Sequence, residues 1–200
     1  METITREYQV YTYDELSESA KEKVREWYID DDMRPQIFAE DVDMWLSENF
    51  RESDLKVQFS LGYCQGDGLN IYGKVYHTDL LDKIDWSDFT AKEKKFILWA
   101  VNRYQFYTEI PSNWRYCYCI ADRADFADDL RTDLESDCMR GINESALEKW
   151  DSACIDYFET LCGDFEKSGY KYLYEPDEDE IIDMCAANEW KFTEEGKIFY

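Results

Sequence analysis

Hydrophobic positions recur with a period of two, or at spacings of three and four, along most of this chain. Residues 4–13 alternate and are β-prone, which predicts an opening strand. Leu16, Ala20, Val24, Trp27 and Tyr28 then fall on one face of a helix whose other positions are largely acidic and which ends in Asp30, Asp31 and Asp32. Pro35 suits the first turn of a second helix, with Phe38, Val42, Trp45 and Leu46 as its apolar face. The clearest strand pair follows. Leu55, Val57, Phe59 and Leu61 alternate with Lys56, Gln58 and Ser60, and Leu69, Ile71 and Val75 alternate with Asn70 and Lys74. This is the pattern of an antiparallel hairpin with one face on a core. Its connector runs from Cys64 through Gln65, Gly66 and Asp67 to Gly68, with two glycines and an Asp suited to turn geometry.

Thr90 and Glu93 are spaced as a capping box, in which hydroxyl and carboxylate satisfy exposed helical N–H groups reciprocally. The helix they open carries Phe96, Ile97, Ala100, Val101 and Tyr104 inward. A second hairpin is expected over residues 105–120, turning at Pro111, Ser112 and Asn113, with Trp114, Tyr116, Tyr118 and Ile120 on one face. Phe126, Leu130 and Leu134 recur every four residues on an acidic helix. Leu147, Trp150, Cys154, Tyr157, Leu161 and Phe165 mark a longer one, with Ser145 and Glu148 as its capping box and Gly169 as its stop. Residues 176–188 form a short acidic helix with Ile181, Ile182 and Cys185 inward, and residues 190–200 a closing hairpin over Glu194, Glu195 and Gly196. The expected fold is α+β: an antiparallel sheet of hairpins with helices packed on one face and around its edges. No repeat, low-complexity tract or Pro/Gly/Ser linker intervenes. Residues 1–200 are therefore read as one domain, with acidic helical flanks (14–50 and 122–188) around a neutral, hairpin-rich middle.

Charge changes this picture most. Residues 1–60 hold 16 acidic and 7 basic side chains, residues 61–120 hold 7 of each, and residues 121–200 hold 23 and 8, for a net charge of −24. A compact domain of this length has a diameter of roughly 43 Å, and the same length of duplex DNA carries about 25 charges. Carboxylates gathered on one side would therefore present a field like that of a short duplex; dispersed, they would serve solubility. Such a surface repels phosphates and anionic membranes, so neither nucleic acid nor membrane is expected as a direct partner, and basic proteins are. Aromatic residues make up 17% of the chain, which separates it from acidic disordered sequences. No run approaches the ~18 apolar residues of a membrane span, and the first residues have neither the basic nor the apolar region of a signal peptide. The seven cysteines, mostly in apolar patterns, read as reduced thiols of a cytoplasmic protein.

Candidate chemistry is sparse. His77 is the only histidine, at a predicted strand end, with no catalytic spacing around it. Cys117 and Cys119 would share one face of a strand, but no paired motif gives them zinc spacing. The acidic run Asp177 to Glu180 fits no calcium-loop pattern. P-loop, dinucleotide fingerprint and nucleophile elbow are all lacking, so no cofactor and no metal is expected. What remains is contact chemistry. Asp125, Asp128, Asp129, Asp133, Glu135 and Asp137 form the first candidate partner-binding patch, Asp30, Asp31 and Asp32 the second, and Gln65 and Asp67 of the glycine-rich turn a third.

Three stretches carry a resemblance: Gly62 to Gly68, Ala187 to Ile198, and the start Asp14-Glu15-Leu16-Ser17 with Ala20 and Lys21. There the chain resembles a family of small acidic proteins encoded by tailed bacteriophages, some labelled antitoxins of a stability system. The resemblance implies a phage accessory protein acting in bacterial cytoplasm, of the kind that occupies the nucleic-acid-binding site of a host defence enzyme such as a restriction or CRISPR nuclease. With the charge, it leads to the expectation of a non-enzymatic inhibitor that binds a basic, nucleic-acid-binding host protein through acidic helices. Two alternatives stand beside it: an antitoxin-like partner that buries aromatics such as Trp114 and Tyr116, and a hydrolase built on a carboxylate pair.

Overall fold

The computed structural model describes residues 7–113, 116–136 and 142–199. In chain order its helices are α1 (Glu18–Ile29), α2 (Arg34–Asn49), α3 (Ala91–Tyr104), α4 (Asp128–Ser136), α5 (Glu144–Tyr174) and α6 (Glu178–Ala187). Its strands are β1 (Asp54–Ser60), β2 (Gly68–Tyr76), β3 (Tyr107–Ile110), β4 (Lys191–Phe192) and β5 (Ile198–Phe199). The fold is α+β, with a three-stranded antiparallel sheet, a two-stranded sheet, and helices packed around the former. Two compact units are present: Phe38–Gly169, and Met1–Ile37 together with Tyr170–Tyr200.

In the first of these units β2 is the central strand, between β1 and β3. The register pairs Leu55 with Gly73, Val57 with Ile71, Phe59 with Leu69, Gly73 with Ile110 and Val75 with Thr108. Directly paired residues share a face, so those side chains make one apolar side, and Lys56, Gln58, Tyr72, Lys74, Tyr107 and Glu109 lie on the other. The predicted hairpin is thus present with its predicted faces. Phe38 of α2 meets Phe59 edge-on at 5.2 Å. Phe50, Phe158 and Phe126 form a continuous stack, with centroids 6.0 and 5.9 Å apart, and all three are buried.

The sequence expectation for residues 105–120 is corrected. β3 does not fold back on residues 116–120; it adds to the free edge of β2. The returning residues are held by single bonds rather than a ladder: Cys117 N–H donates to the Gly66 carbonyl at 3.2 Å, and Ile120 N–H to Asn70 Oδ1 at 3.1 Å. Buried Asn70 also donates to the Pro111 carbonyl, so one side chain does the work that paired strands were expected to do. Trp114 lies outside the described residues, as do residues 4–6 of the expected opening strand. Of the remainder of that strand, only Tyr11 pairs, in an isolated bridge with Phe192. The chain turns immediately afterwards because Thr12 and Glu15 form their own capping box, with the Glu15 carboxylate accepting from Thr12 N–H at 2.8 Å.

Two helix boundaries are corrected as well. Asn143 caps α5, its Oδ1 accepting from Ala146 N–H at 3.2 Å, while the Ser145 hydroxyl points to Glu93. Gly169 does not stop α5, which continues to Tyr174, just before Pro176. Its role is close approach: a Cβ there would overlap Leu61 and Phe38. The Thr90–Glu93 box is present as expected, and buried Glu93 does more than cap. It also accepts from Lys149 Nζ at 2.9 and 3.0 Å and from the Ser145 hydroxyl at 3.0 Å, which ties α3 to α5 and holds its carboxyl down at about 2.

His77 lies fully buried where β2 ends, amid the rings of Phe106, Phe126 and Trp150. Trp150 Nε1–H donates to Nδ1 at 3.2 Å, so the neutral ring carries its proton on Nε2 and donates it to the Thr108 hydroxyl at 2.9 Å. A protonated Nδ1 would face the indole N–H with no acceptor. Burial brings the imidazole down from 6.5 to about 4.

The second unit has its own core of Tyr13, Leu16, Ala20, Val24, Tyr28, Ile181, Cys185 and Phe192, with Trp27, Ile182 and Trp190 packed against it. The closing hairpin is present as β4 and β5. Its turn residue Gly196 has φ +80° and lies against the Ala20 carbonyl, where any side chain would collide. Arg34 is buried between the rings of Tyr28 and Tyr172, each 4.4 Å from its guanidinium carbon. It pairs with Glu180 at 3.0 Å and donates to the Tyr172 carbonyl, and Glu180 accepts from the Tyr28 hydroxyl at 2.9 Å.

Two outcomes follow from this packing. Phe158→Ala removes the middle ring of the stack and costs about 3–5 kcal/mol in urea unfolding. For His77 the neutral ring is the folded form, so its contribution is whole above pH 6.5 and is lost as pH falls toward 4. The full loss is roughly 3 kcal/mol. Urea midpoints measured across this range should fall more steeply for the wild type than for His77→Gln, and parallel profiles would refute the assignment.

Candidate partner-binding surface

The α4 patch is built by the helix itself. Leu130 and Leu134 are fully buried on one side, which leaves Asp128, Asp129, Asp133 and Glu135 exposed on the other. Asp125 precedes the helix and caps it: its Oδ1 accepts from Ala127 N–H at 3.1 Å and Asp128 N–H at 2.8 Å. Arg131 reaches Asp128 at 3.3 Å and Glu144 at 3.2 Å. The carboxyl of Asp129 is nevertheless pushed above the usual range, first by partial burial and then by the charges of Asp128, Asp125 and Asp133. Asp151, whose carboxylate accepts from Phe126 N–H at 2.8 Å, is also raised, by burial and by Asp125 among others. Four of the six predicted acids therefore converge electrostatically, Glu135 shares their helix, and Asp137 lies outside the described residues.

The other two candidates differ in kind. Asp30, Asp31 and Asp32 are exposed in the turn between α1 and α2, in the unit that does not contain α4. Asp31 accepts from Met33 N–H at 3.0 Å, and the Asp30 N–H closes α1 on the Glu26 carbonyl. Asp67 braces its own turn, accepting from the Ser60 hydroxyl and from Cys64 N–H, both at 2.7 Å. Gln65 is exposed at the tip. Gly66 and Gly68 lie against Tyr116 and Tyr118, so the turn backs an exposed tyrosine stack with centroids 5.8 Å apart.

In the unit of residues 1–37 and 170–200 a cavity of about 680 Å³ is lined by Thr12, Tyr13, Asp14, Ile182, Glu189 and Trp190, among others. A cavity of about 320 Å³ in the Phe38–Gly169 unit is lined by Lys83, Asp85, Ser87, Lys149, Asp156 and Tyr157, among others. Lys149 is already held by Glu93 and the Asp88 carbonyl, and Asp85 accepts from Ser87. The carboxyls raised in pKa, Asp129 and Asp151, do not line it. Among the described residues no group of three or more His, Cys, Asp or Glu could hold a metal ion, and no helix is long and apolar enough to cross a membrane.

One surface was missed by the sequence reading. Lys92, Lys95, Trp99 and Arg103 form an exposed stripe on α3, with Arg103 5.9 Å over Trp99. The four-residue spacing of Lys95, Trp99 and Arg103 was its signal, hidden by counting that third of the chain as neutral.

Comparisons with protein-family models, with curated proteins and with solved structures found no match.

Because Asp129 is raised, its ionised form opposes folding at neutral pH, and the opposition eases as pH falls through its pKa. Removing or screening these charges should stabilise the fold. The thermal midpoint is expected to rise with added sodium chloride, and the triple variant D128N/D129N/D133N to start higher and rise less. Identical salt responses would mean that these carboxylates do not repel one another appreciably.

Proposed function

We propose that this chain is a non-enzymatic inhibitor that binds a basic, nucleic-acid-binding protein through carboxylates standing in for phosphates. The observation that carries the reading is the convergence of Asp125, Asp128, Asp129 and Asp133 at α4, where partial burial and then the charges of the neighbouring acids push the Asp129 carboxyl up even with Arg131 paired to Asp128. Carboxylates held against one another gain from an incoming Lys or Arg twice, by new attraction and by relief of repulsion. The resemblance to acidic phage proteins supports a setting in bacterial cytoplasm and a host defence nuclease as target. Association by this route is fast and salt-sensitive.

A second reading has its own observation. Tyr116 and Tyr118 stack, exposed, over the Gly66–Gly68 turn, and a cognate toxin burying them would give an antitoxin-like complex nearly insensitive to salt.

A pull-down from bacterial lysate, eluted along a salt gradient, separates the two. The first reading requires a nucleic-acid-binding protein released at moderate salt and displaced by added DNA or RNA. Asp128→Lys, Asp129→Lys and Asp133→Lys together should weaken that complex at least tenfold, about 1.4 kcal/mol, and flatten its salt dependence. Unchanged affinity would remove the α4 patch from the interface.

A further inference from the structure

The cavity of about 680 Å³ in the unit of residues 1–37 and 170–200 is built where three short segments meet. Tyr11 and Phe192 exchange both backbone hydrogen bonds at 2.9 Å, which brings Tyr13 and Asp14 to the strand that begins at Lys191. The third segment is the end of α6. There Glu189 N–H donates to the Ala186 carbonyl at 3.2 Å and Trp190 N–H to the Cys185 carbonyl at 2.9 Å, the paired bonds of a helix stop that usually carries glycine. Glu189 holds the glycine position instead, with φ +54°. Ile182, Ala186 and Trp190 supply apolar wall, and Trp27 braces Trp190 edge-on at 4.9 Å.

We propose that this cavity binds an organic cation, a guanidinium or ammonium group on an apolar stem, with Asp14 and Glu189 holding the charge and Trp190 covering the stem.

Several features select such a ligand together. Asp14 and Glu189 are exposed, and neither carboxylate takes part in a hydrogen bond or ion pair among the described residues. They outnumber Lys191, which lines the same cavity. The last turn of α6 reaches the cavity through Cys185 and Ala186 and contains no basic residue, so the negative end of the helix dipole adds to their field. An indole attracts a cation and packs on an alkyl stem alike. Tyr13 also lines the cavity, and its hydroxyl is buried with no hydrogen-bond partner among the described residues, an acceptor left for an N–H of the occupant.

Glu189 gives the strongest indication. A side chain in the left-handed region costs steric energy that glycine avoids. Such cost, retained beside a cavity, is the form in which a fold holds a group for binding. The smaller cavity of the Phe38–Gly169 unit differs, because its Lys149 and Asp85 are already engaged by the fold. The site lies in the unit that does not contain α4 and does not rest on the inhibitor reading.

The test is isothermal titration of the full chain at about 0.15 M salt. The probe is n-butylguanidinium, and guanidinium ion and n-butanol present its two halves. Butylguanidinium should bind with one-to-one stoichiometry and a Kd below about 1 mM, and each half at least about tenfold more weakly. Asp14→Asn with Glu189→Gln should weaken binding at least about tenfold, whereas D128N/D129N/D133N, which removes more charge, should leave it within about twofold. Lys191→Gln should tighten it. Glu189→Gly should lose affinity without lowering the urea midpoint, a split that a purely structural Glu189 would not produce. A blocked arginine dipeptide distinguishes the sources of the cation: tighter binding than butylguanidinium assigns the site to a basic side chain of a protein, weaker binding to a free amine or guanidine. Equal affinity for either half of the probe, affinity unmoved in the Asp14 and Glu189 variant, or weaker binding in Lys191→Gln, the mark of a zwitterion, would each overturn the proposal.

Discussion

The fold has to hold 46 carboxylates with only 22 lysines and arginines, so the placement of a few cations decides what can close. In the Phe38–Gly169 unit Lys149 serves this end: it reaches both oxygens of Glu93 and the Asp88 carbonyl, joining α5 to the start of α3 and to the loop before it. In the other unit Arg34 does so, gripping Glu180 and the Tyr172 carbonyl while two tyrosine rings cover its faces. A buried charge is costly unless its partners stay in place. Arg34 suits the second site because a planar guanidinium can stack between rings and donate in its plane at once, which a lysine ammonium cannot. These two nodes cannot lose their partners without leaving a charge stranded.

What the sequence showed depended on the range of the signal. The β1–β2 hairpin, the inward faces of α1, α2 and α3, the Thr90–Glu93 box and the closing hairpin each rest on contacts between near neighbours, and each was legible. The partner of β3 was not, because Asn70 can replace a strand ladder only after distant segments meet. Gly169 carried two meanings that look alike in a sequence, helix stop and close approach, and only the neighbours Leu61 and Phe38 choose between them. Arg34 and His77 gave no warning of burial. Polar residues are buried through partners far along the chain, here residues 172 and 180 for Arg34 and residues 108 and 150 for His77. The division into two units also leaves no mark in composition, since its limits fall inside α2 and α5.

The candidate surface was legible as composition and not as roles. Every acid named at α4 was visible, but Asp125 proved to be a cap and Asp67 a turn brace, each with carboxylate oxygens already accepting from the fold. An oxygen that accepts backbone N–H groups still adds its charge to the local field while offering less geometry to a partner. Asp129, Asp133 and Glu135 are different: their helix needs Leu130 and Leu134 for packing and leaves these side chains exposed, while among the described residues the Asp128 carboxylate accepts only from Arg131 of the same helix.

The spread of the charge bears on how the proposed inhibition would operate. The two units carry −13 (residues 38–169) and −11 (the remainder), so the field does not belong to α4 alone. At physiological salt a charge is screened beyond about 8 Å, so only carboxylates close to the contact can fix a partner's orientation, while the rest raise the rate of encounter. The two effects are separable in kinetics. A substitution far from the interface changes the on-rate and its salt dependence, whereas one within it changes the off-rate as well. The basic stripe on α3 adds a directional element: Lys92, Lys95 and Arg103 repel a cationic partner around Trp99. On the proposed reading, the approach would be guided by attraction at the α4 carboxylates and by exclusion from the α3 stripe, and the placement of these charges, more than their total, would separate one basic partner from another.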